Sequence, residues 1–296
     1  MPAPANTNVK EVLNKLSPWI EGNLDYPQGF SLISEGGPEG TGFSNETLII
    51  NAEYIKHGFR IKDSYVLRIK PTDFQVFPEY DLDKQVLIMD ELRELGLPVP
   101  EVLWNERSSK IIGSPFYIMR RVDGIAPPDS PPFHMDPNCW VAKGSIEDKR
   151  NIWWEWVDYM SKVHLIKLDD VSLSFLNRPN LGERPLDQEL QYYRNYMNWA
   201  LPEEEHKVCK DVFIWLEKNK PSVDINSIGL VWGDCRCGNI LYQNFKATAL
   251  LDWEMAVLGD PVMDLAWGIA VDDANSRGLS VPRLEGFPEA EETIEK

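Results

Sequence analysis

The chain has 296 residues, 43% hydrophobic and 26% charged, a balance that excludes a largely disordered, collagen-like or disulfide-scaffold protein and allows one large domain or two small ones. Lys and Arg number 30 against 47 Asp and Glu, a net charge of −17 that a phosphate backbone repels, so general nucleic-acid binding is not expected. No run approaches the roughly 18 apolar residues of a membrane span, no basic start and apolar run mark a secretory signal, and the four cysteines (Cys139, Cys209, Cys235, Cys237) suggest no disulfide framework, which leaves a cytoplasmic enzyme or binding protein as the default.

From about Phe30 to Met119 the texture is of strands with one helix. FSNETLIIN and SYVLRIK are rich in β-branched and aromatic residues and read as strands, with Gly58 in a turn between them. Asp81 to Leu95 reads as a helix: Leu82, Val86, Met89 and Leu92 recur at near-helical spacing, Gly96 can cap it, and Pro98 follows. IIGSPFYIMRRV reads as another strand. Together these make an antiparallel sheet with one packed helix, a small α+β lobe. GIAPPDSPPFHMDP must be irregular. From about Gly144 the chain reads as mainly helical. Ser145-Ile-Glu-Asp148 resembles a capping box and opens a helix whose apolar face includes Ile152, Trp156, Met160 and Val163. A helix from about Pro202 to Lys220 starts with Glu203 to Glu205, ends rich in lysine, stops at Pro221, and carries Val208, Val212, Trp215 and Leu216 on one face.

The chemistry concentrates in IGLVWGDCRCGNILYQNFKATALLDWEMAVLGDPVMDLAWGIA. A short strand, Leu230 to Trp232, ends in a Gly233-Asp234 turn that presents a carboxylate. Asn239 follows five residues later, and a hairpin of ILYQ and TALL delivers Asp252. An acid, an amide and a second acid brought together this way suit metal-assisted phosphoryl transfer: one carboxylate orients a hydroxyl, while the other acid and the amide oxygen hold Mg²⁺. Arg236 can offset charge on the transferring phosphoryl group. The plainer alternative is that Asp234 and Asn239 only cap a loop. Asp252 at a strand end makes that coincidence less economical.

LVWGDCRCGNILY and ALLDWEMAVLGDPVMDLAW resemble the aminoglycoside-phosphotransferase family, a branch of the protein-kinase-like fold. The resemblance extends from GTGFSNETLII through FPEYDLDKQVLIMDEL and PFYIMRRVDG to the end, and is nearest to the phosphotransferase domain associated with some acyl-CoA dehydrogenases. It implies an α+β, bilobal fold, with a nucleotide-binding N-lobe over residues 1–120 and a mainly helical C-lobe over residues 121–296. It implies ATP and Mg²⁺ as cofactors. Asp234 matches the aspartate that orients the acceptor hydroxyl, and Asn239 and Asp252 match the two metal ligands. Arg236 matches a phosphate-contacting position. Gly40, Gly42, Ser44 and Asn45 fall in the loop over the phosphates, and Arg68 matches the strand cation on the α- and β-phosphates. By the same resemblance Met119 would back the adenine pocket and the backbone of Arg120 and Val122 would pair with the adenine edge, while Asp264 matches an aspartate that braces the catalytic loop.

The sequence departs from the family at several points. Trp232 stands where many members have His and is read as a packing residue. The strand cation is Arg68 rather than Lys, with Lys70 two residues on. Gln85 stands where a pairing glutamate is expected, with Glu79 as a substitute. The glycine loop lacks a strict G-x-G-x-x-G. The chain stops at EAEETIEK, where members usually continue with helices that wall the acceptor site, which leaves open that it is a fragment. Cys235-x-Cys237 has the wrong spacing for a zinc hairpin. His164 reads as a satisfied core histidine, and the tryptophans 153, 154 and 156 as helix packing. Glu254 suits a metal, acceptor or capping role. The expected activity is ATP-dependent phosphorylation of a small-molecule hydroxyl, a metabolite such as a hydroxyacyl compound favoured over an aminoglycoside. The alternative is a nucleotide-binding pseudoenzyme or regulatory module. Protein partners are not readable.

Overall fold

A computed structural model of the chain describes residues 8–25, 27–37, 46–72, 75–201, 206–221 and 227–296. Its first part contains α1 (Val9–Asn23), β1 (Gln28–Gly36), β2 (Glu46–Lys56), β3 (Phe59–Ile69), α2 (Leu82–Glu94), β4 (Val102–Glu106) and β5 (Phe116–Arg120). Strict alternation makes β2 a half-buried strand: Leu48, Ile50, Ala52 and Tyr54 point inward. β2 and β3 pair antiparallel without a bulge from Glu46↔Ile69 to Lys56↔Phe59. The turn between them is His57-Gly58, with φ of 52° and 81°; a two-residue hairpin between twisted strands needs such left-handed residues. The five strands lie in the order β1-β2-β3-β5-β4, all pairs antiparallel. α1 buries Val12, Leu16 and Ile20 against one sheet face, with Ile50, Tyr65, Leu67 and Phe116.

α2 starts at its cap Asp81, whose side chain accepts the Lys84 N–H at 2.9 Å, and Gly96 follows its end at φ 82°. It buries Val86, Ile88, Met89 and Leu92 in a second core shared with the helical part of the chain. That part contains α3 (Ile146–His164), α4 (Pro185–Ala200), α5 (Lys207–Asn219), β6 (Gly229–Val231), β7 (Ile240–Gln243), β8 (Lys246–Leu250), β9 (Val257–Gly259), α6 (Val262–Ala274) and α7 (Ala290–Glu295). Ser145 and Asp148 form the expected capping box on α3. Ile152, Trp156, Met160 and Val163 on α3 are all buried. β7 and β8 make a hairpin, and β6 pairs with β9. The two parts are joined by Leu250 N–H to Pro98 O at 2.7 Å, by Lys84 Nζ to Glu254 O at 2.8 Å, and by a bridge between Ile125 and Tyr242. Among the described residues no helix is long and apolar enough to cross a membrane.

Several expectations are corrected. The strand over IIGSPFYIMRRV spans only Phe116–Arg120, because Ile111 to Gly113 turn, with Gly113 at φ 97°. α1, β1, β4 and α4 carry no signal singled out in the sequence. α5 forms, but Val208, Val212 and Trp215 of its apolar stripe stay exposed. Periodicity defines a stripe but not whether anything packs on it. Glu203 to Glu205 and the loop residues Gly40, Gly42, Ser44 and Asn45 lie outside the described residues.

Candidate active site

The site is built on the end of β6. Gly233 has φ 92°, and a Cβ there would lie 2.3 Å from the Met255 carbonyl oxygen, so only glycine turns the chain at this point. The turn is held from below by Asp264 on α6, fully buried, whose carboxylate accepts the Trp232 N–H at 2.7 Å and the Gly233 N–H at 2.8 Å. His164 Nε2 lies 2.8 Å from Asp264 Oδ2, the satisfied core histidine expected. Asp264 thus braces the loop.

Among the described residues Asp234 is reached by three N–H donors. Asn239 Nδ2 donates to Oδ2 at 2.7 Å, Arg236 Nε to both oxygens at 3.1 Å, and Trp267 Nε1 to Oδ1 at 2.7 Å. Arg236 also donates through Nη1 to both oxygens of Asp129 at 2.7 Å. Burial opposes the Arg236 charge, but Asp234 and Asp129 outweigh it and hold the guanidinium above its ordinary pKa.

Asp252 is drawn to the same place by the hairpin. Leu251 N–H donates to Asn239 O at 2.8 Å, and Asp252 itself sits at φ 65°, left-handed backbone that Asp tolerates better than most residues. Trp232 is more than packing: it stacks on Trp253 with centroids 4.6 Å apart, and its Nε1 donates to Leu251 O at 2.9 Å and Asp252 O at 3.2 Å. Among the described residues the buried Asp252 Oδ1 has no hydrogen-bond partner, and the Arg68 guanidinium stands 3.6 Å away. Burial raises the Asp252 carboxyl pKa, against the pull of Arg68. A buried orphan carboxylate oxygen is costly unless something binds it. That atom and the Asn239 amide oxygen fit Mg²⁺, which takes hard oxygens and needs few from protein.

Arg68 donates to Thr47 Oγ1 at 3.3 Å and faces Asp252 and Tyr117. Gln85 does not pair with it; Gln85 Oε1 accepts the Tyr117 hydroxyl at 3.1 Å. Burial pushes the Tyr117 hydroxyl up to about 12. Met119 is buried in β5 between Val66 and Val102. Arg120 donates its N–H to Glu101 O at 2.8 Å, so only its carbonyl could meet an adenine amino group. Cys235 and Cys237 are buried, both thiols are raised by burial, and Cys235 Sγ accepts from Trp156 Nε1 at 3.1 Å. Among the described residues no three His, Cys, Asp or Glu side chains cluster as metal ligands.

A cavity of about 230 Å³ borders the segment after Asp252, lined by Tyr80, Lys84, Arg178, Tyr192, Tyr193 and Met255 among others. The Tyr193 hydroxyl is raised first by burial, and the charge of Asp234 contributes. Asp129 and Trp267 are the site residues that the sequence reading missed. Asp129 lies in the proline-rich stretch, where no periodicity marks it. Trp267 had a signal: three residues after Asp264 on a helix, it shares the face turned to the Gly233-Asp234 turn.

The sequence model of the phosphotransferase enzyme family matches residues 46–292. Relatives include acyl-CoA dehydrogenase family member 10 of Mus musculus, 29% identical over 77% of this chain and 20% of its own length. Family member 11 of Homo sapiens is 25% identical over 81% of this chain and 30% of its own length. A probable acyl-CoA dehydrogenase of Arabidopsis thaliana is 27% identical over 77% of this chain and 27% of its own length. The chain therefore spans 20% to 30% of the length of these relatives. Solved structures of like fold include a candidate aminoglycoside phosphotransferase from Ralstonia eutropha, with TM-score 0.64 and 19% identity over 95% of this chain and 78% of that one. Another is a thermostable aminoglycoside phosphotransferase mutant in ternary complex with AMP-PNP and hygromycin B, with TM-score 0.53 and 16% identity over 85% of this chain and 75% of that one. These likenesses confirm the bilobal, kinase-like α+β fold. The chain belongs to the phosphotransferase enzyme family.

Proposed function

We propose that the protein moves the γ-phosphoryl group of ATP to a hydroxyl of a small molecule, with a metabolite such as a hydroxyacyl compound favoured over an aminoglycoside. The observation that carries this is that Asn239 bonds the Asp234 carboxylate through its side chain and the Leu251 N–H through its backbone, which brings Asp252 beside them with its Oδ1 buried and, among the described residues, without a hydrogen-bond partner. Asp252 and Asn239 would hold Mg²⁺, which when bound neutralises charge on the phosphate oxygens. Asp234 orients the acceptor hydroxyl and receives its proton late, since a loose transition state needs positioning more than a strong base. Arg236 offsets charge on the transferring group. Residues 1–120 would hold the nucleotide: Gly40, Gly42, Ser44 and Asn45 over the phosphates, Arg68 beside them, Met119 behind the adenine, and the Arg120 carbonyl and Val122 N–H along its edge. Residues 121–296 would supply the catalytic loop, the metal ligands and the acceptor wall, with the cavity beside Tyr193 as the acceptor pocket.

The names of the acyl-CoA dehydrogenase relatives support a metabolite acceptor. The competing reading, nucleotide binding without transfer, draws on Arg68 facing Asp252 and on Gln85 bonding Tyr117. ADP release from MgATP, measured over panels of hydroxyacyl compounds, other small alcohols and aminoglycosides, separates the two. Acceptor-dependent release that Asp234→Asn abolishes supports transfer. Tight MgATP binding with no release over any panel supports the pseudoenzyme. A response to aminoglycosides alone overturns the metabolite preference.

A further inference from the structure

We propose that Asp129 is a positioning residue of the phosphotransfer centre: it fixes the Arg236 guanidinium beside Asp234, so that Arg236 meets the phosphoryl group from one preset direction. This rests on the phosphotransfer reading of Asp234 and Arg236.

Arg236 lies between two carboxylates. Its Nε donates to Asp234 and its Nη1 to Asp129, the latter at 2.7 Å to both oxygens. A guanidinium is planar, so two carboxylates gripping two of its nitrogens fix the plane. Nη2 takes part in neither grip. Without Asp129 the group is tethered by Nε alone and can turn about its own long side chain.

A second observation points the same way. Gly238 in the catalytic loop has no positive φ to explain it, yet a Cβ there would lie 2.2 Å from Arg236 Nη1 and 2.8 Å from Asp129 Oδ1. The loop has a glycine where this ion pair needs room. The segment carrying Asp129 is itself pinned. Ile125 bridges Tyr242, Thr248 Oγ1 donates to Asp123 O at 2.8 Å, and Trp140 Nε1 donates to Ala126 O at 3.2 Å. Beyond it, His134 lies 2.9 Å from Asp272, which also accepts from Arg283 at 2.6 Å. A carboxylate presented by a segment tied at both ends can hold a geometry, which one on a loose tip could not.

The test combines a structural and a kinetic reading on the full chain. NMR of the Arg236 side chain reports guanidinium rotation: separate Nη signals for the gripped group, averaged signals for a free one. Asp129→Ala and Gly238→Ala are expected to average signals that are separate in the parent, and Asp129→Asn to give an intermediate result. Signals that stay separate in Asp129→Ala overturn the proposal. For turnover the probe is MgATP with water as acceptor, followed by ADP release. Asp129→Ala is expected to lower kcat roughly tenfold to 100-fold at unchanged KM for ATP. Combined with Arg236→Ala it should add nothing, because both act through one group. Independent, additive losses overturn the proposal. If the parent shows no turnover with any acceptor, the phosphotransfer reading fails, and the NMR result still decides whether Asp129 holds Arg236.

Discussion

Three N–H groups among the described residues fix the carboxylate of Asp234: Arg236 and Asn239 from its own loop, and Trp267 from α6. So many fixed donors suit orientation of a hydroxyl. Asp234→Asn is therefore expected to lower turnover by orders of magnitude while leaving nucleotide affinity nearly unchanged, as read by kcat beside an ATP titration. Trp267→Phe keeps an aromatic side chain, smaller than the indole, and removes one donor. It should lower kcat about tenfold, with little change in melting temperature. Equal losses of kcat and stability would make Trp267 a packing residue only. At this scale the sequence was informative where chemistry and spacing coincide: Asp234, Asn239 and Asp252 stand out because an acid, an amide and an acid occur at strand ends. Asp129 was not legible, because its role depends on a fold that brings it over a hundred residues of chain to Arg236.

Helix α6 does three things at once. Asp264 braces the loop, Trp267 reaches Asp234, and Gly268 lets the helix approach α3 so closely that a Cβ would lie 2.1 Å from Trp156 Cζ2. Asp264→Ala leaves two backbone N–H groups and His164 without their acceptor. At about 1–3 kcal/mol per orphaned group, it is expected to cost several kcal/mol in a denaturant titration. Gly268→Ala forces rigid atoms apart and should cost about 1–3 kcal/mol or more; an unchanged midpoint would contradict the close packing. α6 shows why sequence reading succeeds unevenly. MDLAW announces Asp264 by resemblance, whereas Gly268 matters only through the ring opposite it. α5 shows the converse: its stripe was legible, but Val208, Val212 and Trp215 remain exposed. α1 and β1 went unread because their residues gain meaning only from the sheet they cover and extend.

Across the whole molecule, one core runs from α2 to the helical part, and Lys84 ties α2 to the segment that follows Asp252. Burial, with Arg178 nearby, lowers the Lys84 pKa to about 8. The folded state therefore loses this proton near pH 8, while the unfolded chain keeps it until about 10.4. Between these values the unfolded state binds more protons, so the Lys84 contribution to stability rises with pH. Raised tyrosines, such as Tyr54 at about 12, act the other way above pH 10. The difference between the parent and Lys84→Met isolates the lysine: the parent should gain stability on the variant from pH 8 to 10, measured by denaturation at each pH. A constant difference would show that Lys84 does not titrate there.

The most direct measurement is the thermal shift produced by ATP with and without Mg²⁺, for the parent and for Asp252→Ala. A ligand that binds only the folded state and is present at about 100 times its Kd adds about 2.7 kcal/mol, several degrees in a chain of this size. A shift with ATP that grows with Mg²⁺, the metal-dependent part being lost in Asp252→Ala, is the predicted result. A folded protein that melts at the same temperature with and without MgATP would contradict the account at its centre.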